Sequence, residues 1–358
     1  MSDVRAMVLT GPNQIEERRF PRPETDEDSA LLRIEASGIC GTDYESLSGE
    51  YAREYPLILG HEPLGVIEEI GDRAAARWGV EAGDRVVVQP NHGCGACRRC
   101  NDGARCNFVD GGYGSTPAAV APALWGGFAE HMYLARGSKL HRVPDGLPLH
   151  LAALANPIAA GFGWAVRAGG LQAGDRIAIL GAGQRGLAST VAASHSGADF
   201  IAVTGLARDE HKLALARQLG AHATIDVDAE DPVSAVLERT DGEGVDVVVD
   251  LTPYSTEPVV QGIEMLRPGG TMVLAGLKGT HRVAEFDSDA IIRHEANVRG
   301  VRGVDRESFV RALRLIASGR YPVERMHTHE FPLEDVERGI RTLSGETGEP
   351  AISITVEP

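Results

Sequence analysis

The pattern of hydrophobic positions changes at about Gln172 and divides the chain into two styles of structure. Beyond that point, compact apolar runs such as RIAIL, FIAVT, VDVVVDL and TMVLAGL alternate with amphipathic stretches of helical length. GLASTVAASHSG predicts a helix that ends at Gly197, and DEHKLALARQLGA predicts one with Asp209 as N-cap and Gly220 at its end. Another helix is predicted through EMLRPGG. Strands that alternate with helices in this way predict a parallel, doubly wound α/β sheet.

Residues 1–150 show a different pattern, with short strands between Gly and Pro breakers and no long helical period. Strands of this kind are AMVLT, LLRIEASG, LGVIEEIG and DRVVVQP. Beyond about Arg299 the chain returns to mixed character and ends in the strand-like AISITVEP. We therefore expect a mostly β domain over 1–155 and a doubly wound domain over 156–299. The segment 300–358 should pack back onto the first domain.

Composition and charge exclude several classes of protein. The chain has 358 residues, which favours two domains over a single core. Its net charge of −16 argues against binding to nucleic acid or to an anionic membrane, because both need basic patches. The most apolar region, Leu151 to Val166, is interrupted by Asn156, Pro157 and glycines, so we do not expect it to span a bilayer. The N-terminus lacks the layout of a signal peptide.

A glycine loop lies between the first strand and the first helix of the α/β region. RIAIL-GAGQRG-LAST places Gly181, Gly183 and Gly186 in a GxGxxG pattern, with Gln184 and Arg185 between them. In a dinucleotide site the first Gly makes the turn, the second admits the pyrophosphate, and the third allows close packing. A glycine-rich turn without a ligand is the alternative. The alternating units downstream favour a site for NAD or NADP.

The end of the second strand does not decide between the two cofactors. An NAD site usually has an acidic residue there, but this chain has Thr204 and Gly205. Arg208 follows closely enough to meet the 2′-phosphate of NADP, which favours NADP. An Arg208 that is only solvated on the helix surface explains the sequence equally well.

All five cysteines fall into two metal-ligand patterns. One is C-x2-C-x2-C-x5-C, formed by Cys94, Cys97, Cys100 and Cys106. Four thiolates so close together can close a tetrahedron around a structural zinc. The alternative is a set of free thiols, which would crowd and oxidise at this spacing. Thiols reserved for metal are typical of a reducing compartment, so we expect a cytoplasmic protein.

The fifth cysteine, Cys40 of GICGTD, precedes the GHE motif with His61 and Glu62. One Cys, one His and one carboxylate leave a zinc coordination position open for chemistry. Thr42 can relay a proton from a bound alcohol, and Asp43 can hold His61 in the correct tautomer. A buried thiol beside an ordinary histidine is the alternative. The surrounding residues favour a catalytic zinc, which makes two zinc ions per subunit.

These motifs together resemble the zinc-dependent medium-chain alcohol dehydrogenase family, and in particular its polyol- and sorbitol-dehydrogenase-like members. The resemblance includes GICGTD, GHEPLGVIEEIG, AGDRVVV, GGFAEHMYL and RPGGTMVLAG in the family's order and covers the chain from end to end. It implies a GroES-like catalytic domain, a Rossmann domain, and a homodimer or homotetramer. It also implies that Cys40 and His61 are catalytic zinc ligands, Thr42 the proton relay, and Glu62 a ligand or a carboxylate close to the metal.

Three departures from the family pattern bear on the site. Asn156 stands where a Cys or Glu is usual, so Glu62 would have to coordinate zinc directly, or the metal would bind weakly. Glu45 stands where many members have a His that ends the proton relay, so either its carboxylate serves in that place or the relay is lost. The last gap of the Cys cluster is x5, where x7 is common.

We expect an NAD(P)-dependent zinc dehydrogenase that acts on a small-molecule alcohol or carbonyl substrate. Direct coordination by Glu62, together with Asn156, fits a secondary alcohol, polyol or sugar, by family analogy only. One alternative is a zinc-free reductase of activated C=C or carbonyl groups on the same fold. Another is an inactive protein that keeps only the cofactor and the structural zinc.

Overall fold

The computed structural model describes residues 3–94, 96–101, 106, 111–284 and 286–358. Its contacts divide the chain into two compact units. Unit 1 comprises Met1–Asn156 and His327–Pro358, and unit 2 comprises Pro157–Met326.

The described residues form strands and helices along both units. The strands are β1 Val4–Gly11, β2 Gln14–Phe20, β3 Ala30–Gly38, β4 Leu57–Ile58, β5 Glu62–Ile70, β6 Arg85–Val88, β7 His131–Leu134, β8 Leu140–Arg142, β9 Arg176–Leu180, β10 Phe200–Gly205, β11 Ala223–Asp226, β12 Val245–Asp250, β13 Leu266–Leu274, β14 Asn297–Gly300, β15 His327–Pro332 and β16 Ser353–Glu357. The α-helices are α1 Gly41–Ser48, α2 Asp72–Trp78, α3 Arg98–Asn101, α4 Leu149–Ala152, α5 Ala155–Gly161, α6 Gln184–His195, α7 Glu210–Gln218, α8 Pro232–Glu238, α9 Glu257–Glu264, α10 Asp289–Arg293, α11 Arg306–Ala317 and α12 Val336–Ser344. A π-helix spans Phe162–Ala168, and 3-10 helices span Ala207–Asp209, Val323–Met326 and Leu333–Asp335.

Unit 2 contains one parallel sheet in the order β11-β10-β9-β12-β13-β14. Counted from the first strand of the unit this is 3-2-1-4-5-6, the order of the Rossmann fold, so the predicted doubly wound sheet is confirmed. The order reverses between β9 and β12, which places a ligand crevice at the carboxyl ends of these strands. Leu180, Thr204 and Asp250 are in register at that edge.

The predicted helices on either side of β10 are confirmed. α6 ends at His195, and Gly197 then turns the chain with φ +84°. α7 begins after its N-cap Asp209 and ends two residues before Gly220, which has φ +113°. The strands between the helices are apolar on both faces: four of the five residues of β9 are buried. Burial of both faces is what a parallel sheet covered by helices requires.

The helix predicted through EMLRPGG is wrong in its extent. α9 ends at Glu264, and β13 begins at Leu266, so the RPGG segment lies within a strand. Gly269 has φ +79°, which a helix cannot accommodate, and the pairing of β12 with β13 changes register before Val247. An irregular strand therefore replaces the last turn of the predicted helix.

Unit 1 is mostly β-structure. Its larger sheet has the order β15-β16-β3-β5-β6-β8, with β7 paired to β3, and its smaller sheet has the order β2-β1-β4. The C-terminal segment is part of this unit. Val336 and Ile340 of α12 and Val356 of β16 belong to the same buried cluster as Val8 of β1 and Leu47 of α1.

The second domain boundary differs from the predicted one at residue 299. Residues up to Met326 belong to unit 2, and only His327–Pro358 return to unit 1. The segment around α11 stays with unit 2 because it is tied to the π-helix: Arg167 pairs with Asp305, and Trp164 Nε1 donates a hydrogen bond to the carbonyl of Gly303. The first boundary lies at Asn156, one residue after the predicted position.

One helical run, Leu149–Ala168, is long and apolar enough to cross a membrane by length and composition. Of its most apolar window, 78% is buried inside the protein. A mostly buried core helix meets the same criteria of length and composition, so this run is weak evidence for a membrane span.

Candidate functional site

The open metal pattern comes together in unit 1. Cys40 is the N-cap of α1, while His61 and Glu62 stand at the start of β5. The ligand atoms of these three residues lie within 4.8 Å of one another. Glu62 is 2% exposed and pairs in the sheet with Gly38, where a Cβ atom would lie 2.7 Å from Glu62 Oε2. Gly38 therefore provides the space in which the Glu62 carboxylate lies beside Cys40.

Asp43 orients two of the three candidate ligands. Its Oδ2 accepts a hydrogen bond from the Cys40 backbone amide at 2.9 Å, and its Oδ1 lies 3.4 Å from His61 Nδ1. Burial alone would lower the pKa of His61, but the charge and hydrogen bond of Asp43, with smaller contributions from Cys40, raise this pKa well above its usual value. The same negative field favours a cation in place of the proton, so these residues fit a zinc ion.

Thr42 lies on the other side of the His61 ring. Its Oγ1 is 3.4 Å from His61 Nε2, the nitrogen that Asp43 leaves available to a metal. The Ser46 hydroxyl donates to the Thr42 carbonyl at 2.7 Å, which ties this first turn of α1 together. Glu45 and Asn156 are buried at 8% and 2% exposure, and their parts in the reaction stay predictions.

The four-cysteine cluster has the geometry of a closed metal site. All four sulfur atoms lie within 4.8 Å of one another, and the Cys94–Cys100 and Cys97–Cys106 sulfur pairs are each 3.9 Å apart. A tetrahedral zinc with Zn–S bonds of about 2.3 Å requires sulfur separations of about 3.8 Å. A hydrogen bond from the Cys100 backbone amide lowers the pKa of Cys97. Residues 102–105, most of the x5 gap, lie outside the described residues.

The three glycines of the loop after β9 have the three roles that a dinucleotide site needs. Gly181 turns the chain with φ +104°. A Cβ atom on Gly186 would lie 1.9 Å from the Gly181 carbonyl oxygen, so only glycine allows α6 to start so close to the strand. A Cβ atom on Gly183 would meet nothing within 4 Å. The space in front of Gly183 is therefore available to a pyrophosphate at the N-terminus of α6.

β10 ends in Thr204 and Gly205 and not in the acid that would exclude the phosphate of NADP. Thr204 Oγ1 accepts a hydrogen bond from the Gly181 amide at 3.2 Å, which joins β10 to the glycine loop. Gly205 then ends the strand, and Arg208 follows on the surface. The nearest acid in sequence, Asp209, is already paired with Lys212 at 2.7 Å.

Sequence reasoning missed one candidate pair, Asp250 and Lys278. Lys278, after β13, lies 2.8 Å from the fully buried Asp250 carboxylate at the end of β12. Its ammonium also donates to Thr252, whose Cγ2 would contact a Cβ atom on Gly181 at 3.3 Å. This ion pair therefore borders the crevice of unit 2. The only sequence signal was position: Asp250 lies near the end of the predicted strand VDVVVDL, and Lys278 directly follows TMVLAGL.

The open space at Gly183 leads to a direct prediction. Gly183→Ala should leave the fold intact, because φ of −65° suits alanine and no protein atom lies within 4 Å of the new Cβ. The methyl group occupies the space of the pyrophosphate, so the Kd of NADH or NADPH should rise about tenfold or more. Fluorescence titration measures the Kd, and thermal unfolding checks the fold. An unchanged Kd would show that the pyrophosphate does not approach Gly183.

Two protein-family models match the chain. The alcohol dehydrogenase GroES-like domain matches residues 26–145, and the zinc-binding dehydrogenase model matches residues 186–318. The chain is 42% identical over 368 aligned residues to the "Probable alcohol dehydrogenase adh" of Mycobacterium tuberculosis, with 100% of both chains covered. It is 29% identical over 360 residues to a sorbitol dehydrogenase of Halalkalibacterium halodurans, with 99% of each chain covered. The chain belongs to the zinc-dependent medium-chain alcohol dehydrogenase family.

A solved structure supports the same conclusion. The crystal structure of a "putative zinc-binding dehydrogenase" from Sinorhizobium meliloti 1021 bound to NADP is 30% identical, covers 100% of both chains and has a TM-score of 0.85. The chain is thus an NAD(P)-dependent oxidoreductase of CH–OH groups, with a GroES-like and a Rossmann domain and two clusters that could bind zinc. None of these findings favours the zinc-free reductase or the inactive protein.

Proposed function

We propose that the chain oxidises a secondary alcohol, polyol or sugar to the corresponding ketone, reversibly, with Cys40, His61 and Glu62 as the ligands of a catalytic zinc. The observation that carries the proposal is the group of three ligand atoms within 4.8 Å, with the Thr42 hydroxyl 3.4 Å from His61. The similarity to a sorbitol dehydrogenase supports a polyol. The second cluster, around Cys94, is assigned to a structural zinc.

The chain's own residues supply position and proton transfer. When bound, zinc would supply Lewis acidity at the substrate oxygen, and the nicotinamide would supply the acceptor for the hydride. Thr42 Oγ1 accepts the hydroxyl proton of the substrate and passes it on, with Glu45 as the predicted end of the relay. Asp43 holds His61 through Nδ1. The reaction converts the alcohol and NAD(P)⁺ into the ketone, NAD(P)H and a proton.

Of the two cofactors, we propose NADP. The acid that would bind the ribose hydroxyls of NAD is replaced by Gly205, and Arg208 is exposed after it. The related structure bound to NADP supports the same choice. Gly181, Gly183, Gly186 and the first turn of α6 are assigned to the pyrophosphate.

We also propose that the protein is a cytoplasmic homo-oligomer, a dimer or a tetramer. β14 is the outermost strand of the unit 2 sheet, and all four of its residues are exposed. Val298 of this strand and Ile292 of α10 are 43% and 73% exposed. An exposed edge strand beside apolar side chains supports the packing of a second copy against this edge. Cysteines that bind metal are typical of a reducing compartment, which supports a location in the cytoplasm.

The test of the proposed function is the zinc content of protein purified without added metal. Elemental analysis should find about two zinc ions per subunit. The protein should then oxidise members of a panel of secondary alcohols and polyols with NADP⁺ or NAD⁺. About one zinc per subunit, with reduction of enones and no oxidation of alcohols, would contradict the catalytic site and favour the reductase.

A further inference from the structure

A buried ion pair lies at the carboxyl edge of the unit 2 sheet, where β12 and β13 end. The Asp250 side chain is fully buried, and the ammonium of Lys278 lies 2.8 Å from its Oδ2. Apart from that contact, no group in the described part of the chain donates a hydrogen bond to this oxygen, so the charge of Lys278 is what compensates it. Burying two charges costs much of the energy that their attraction returns. Stability alone is therefore a weak explanation for this pair.

The same lysine fixes the turn that follows β12. Its ammonium donates hydrogen bonds to the carbonyl oxygen of Thr252 at 2.6 Å and to the Thr252 hydroxyl at 3.0 Å. That hydroxyl donates in turn to Asp250 Oδ1 at 2.6 Å, and the Thr252 amide donates to the same oxygen at 3.0 Å. Lys278 and Asp250 thus hold both the backbone and the side chain of Thr252.

The turn is joined to the segment after β13 at two further points. The Tyr254 amide donates to the Leu277 carbonyl at 3.0 Å, and Tyr254 has φ +63°, a left-handed conformation that residues with a side chain rarely adopt. A Cβ atom on Gly276 would lie 2.3 Å from the Thr252 carbonyl oxygen, so only glycine allows this approach. Strained backbone of this kind persists where the surrounding contacts fix it, and it is concentrated at functional sites.

The two segments together, residues 250–254 and 275–279, form a corner that borders the glycine loop, and we call it the β12–β13 corner. A Cβ atom on Gly181 would lie 3.3 Å from Thr252 Cγ2. The corner lies on the β12 side of the point where the strand order reverses. Each half of a Rossmann sheet binds one mononucleotide, and the half with the glycine loop binds the adenosine. The corner belongs to the other half, which binds the nicotinamide mononucleotide.

We propose that Lys278 is a positioning residue that, through Asp250 and Thr252, fixes the β12–β13 corner as a binding surface for the nicotinamide half of the cofactor. The proposal rests on the proposed function, in which unit 2 binds NAD or NADP. A turn that is already ordered loses less conformational freedom when its ligand binds, so the network should raise the affinity for this half of the cofactor. Lys278 itself contacts Asp250 and Thr252, and its effect on the cofactor is exerted through the turn.

The test compares the whole cofactor with its adenosine half. The Kd of NADPH and of adenosine 2′,5′-bisphosphate is measured by titration for the wild-type protein, Lys278→Met and Arg267→Met; NADH and AMP replace them if the wild-type protein prefers NAD. Lys278→Met should weaken NADPH about tenfold and leave the adenosine half within about twofold of wild type. Arg267→Met is the matched control, because its ion pair with Asp246 joins the same two strands at their other end. Neither Kd should change in this variant.

A double variant separates positioning from stability. Removal of Lys278 alone leaves the other charge buried and lowers the unfolding temperature, whereas Asp250→Asn/Lys278→Met removes both charges and should recover much of that loss. The double variant still lacks the lysine bonds to Thr252, so its NADPH affinity should stay about tenfold below wild type. Thr252→Val is a milder change for the case that Lys278→Met does not fold. It keeps a methyl group toward Gly181, removes the hydroxyl and should weaken NADPH about threefold.

Four results would overturn the proposal. Equal losses for NADPH and for the adenosine half in Lys278→Met would mean that the lysine acts through the fold. Recovery of NADPH affinity together with the unfolding temperature in the double variant would mean the same. An equal loss of NADPH affinity in Arg267→Met would show that any link between the strands has this effect. Unchanged NADPH binding in Lys278→Met, or in Thr252→Val where it replaces that variant, would exclude the network from cofactor binding. Failure of the wild-type protein to bind either ligand would instead contradict the proposed function.

Discussion

Cys40→Ser should lower kcat/KM for alcohol oxidation by at least about a thousandfold, since several kilocalories per mole of transition-state stabilisation depend on the bound metal. Serine is a poor zinc ligand because its hydroxyl stays protonated, whereas the Cys40 thiolate carries charge. His61 and Glu62 then remain as two ligands, too few for a zinc with one open position. Steady-state kinetics with the best alcohol of the panel measures the loss.

Zinc content and a neighbouring variant complete this test. Cys40→Ser should keep about one zinc per subunit, in the Cys94 cluster. Gly41→Ala is the matched control, because Gly41 is exposed and a Cβ atom there would meet nothing within 4 Å. It should retain both zinc ions. A Cys40→Ser protein with two zinc ions and wild-type turnover would show that the catalytic metal does not depend on this thiolate.

Much of the candidate site could be predicted because metal binding depends on residue type and spacing. Cys94, Cys97 and Cys100 are spaced so that a single turn of the chain can bring their sulfur atoms to one metal ion. The Cys40 site was harder, because twenty residues separate Cys40 from His61. Antiparallel pairing of β3 with β5 brings them together, through the register of Gly38 with Glu62. Only the GICGTD and GHE motifs, which contain Cys40 and His61, indicated that these residues form one site.

The parts that could not be predicted depend on tertiary packing. The π-helix at Trp164 has no periodicity that distinguishes it from an α-helix, so the ring beneath Arg185 appears only in the folded chain. The Asp250–Lys278 ion pair joins the ends of two different strands. The boundary at Met326 follows from long-range contacts of α11, whose amphipathic pattern would suit either unit.

The glycine loop and the residues after Thr204 differ in how much their local sequence predicts about cofactor binding. Gly181 and Gly186 are required by the chain itself, through a positive φ and a 1.9 Å approach to a carbonyl. Gly183 is required by nothing in the protein. The open space in front of it is what the proposed pyrophosphate contact would require. Gly205 after Thr204 is also constrained by packing, because a Cβ atom there would lie 3.1 Å from Leu213 Cδ2. The absence of an acid at this position therefore does not by itself identify the cofactor.

Thr42→Val should lower kcat by about a hundredfold or more while leaving the Kd of the nucleotide unchanged. Valine has nearly the same shape as threonine but no hydroxyl, so the proton acceptor 3.4 Å from His61 Nε2 is removed. Positioned proton transfer is worth about 10²–10⁴ in rate. The bond from the Ser46 hydroxyl is accepted by the Thr42 backbone carbonyl, so α1 keeps its first turn. Pre-steady-state kinetics measures hydride transfer separately from product release.

Thr42→Ser is the matched control for the relay, since it restores the hydroxyl on a smaller side chain. It should keep kcat within about tenfold of the wild-type value, while Thr42→Val does not. Both variants should retain two zinc ions, because Thr42 is not among the ligands within 4.8 Å. Wild-type hydride transfer in Thr42→Val would remove Thr42 from the relay. Equal losses in both variants would mean that the methyl group, which serine lacks and valine keeps, matters as much as the hydroxyl, so that the effect is not specific to the relay.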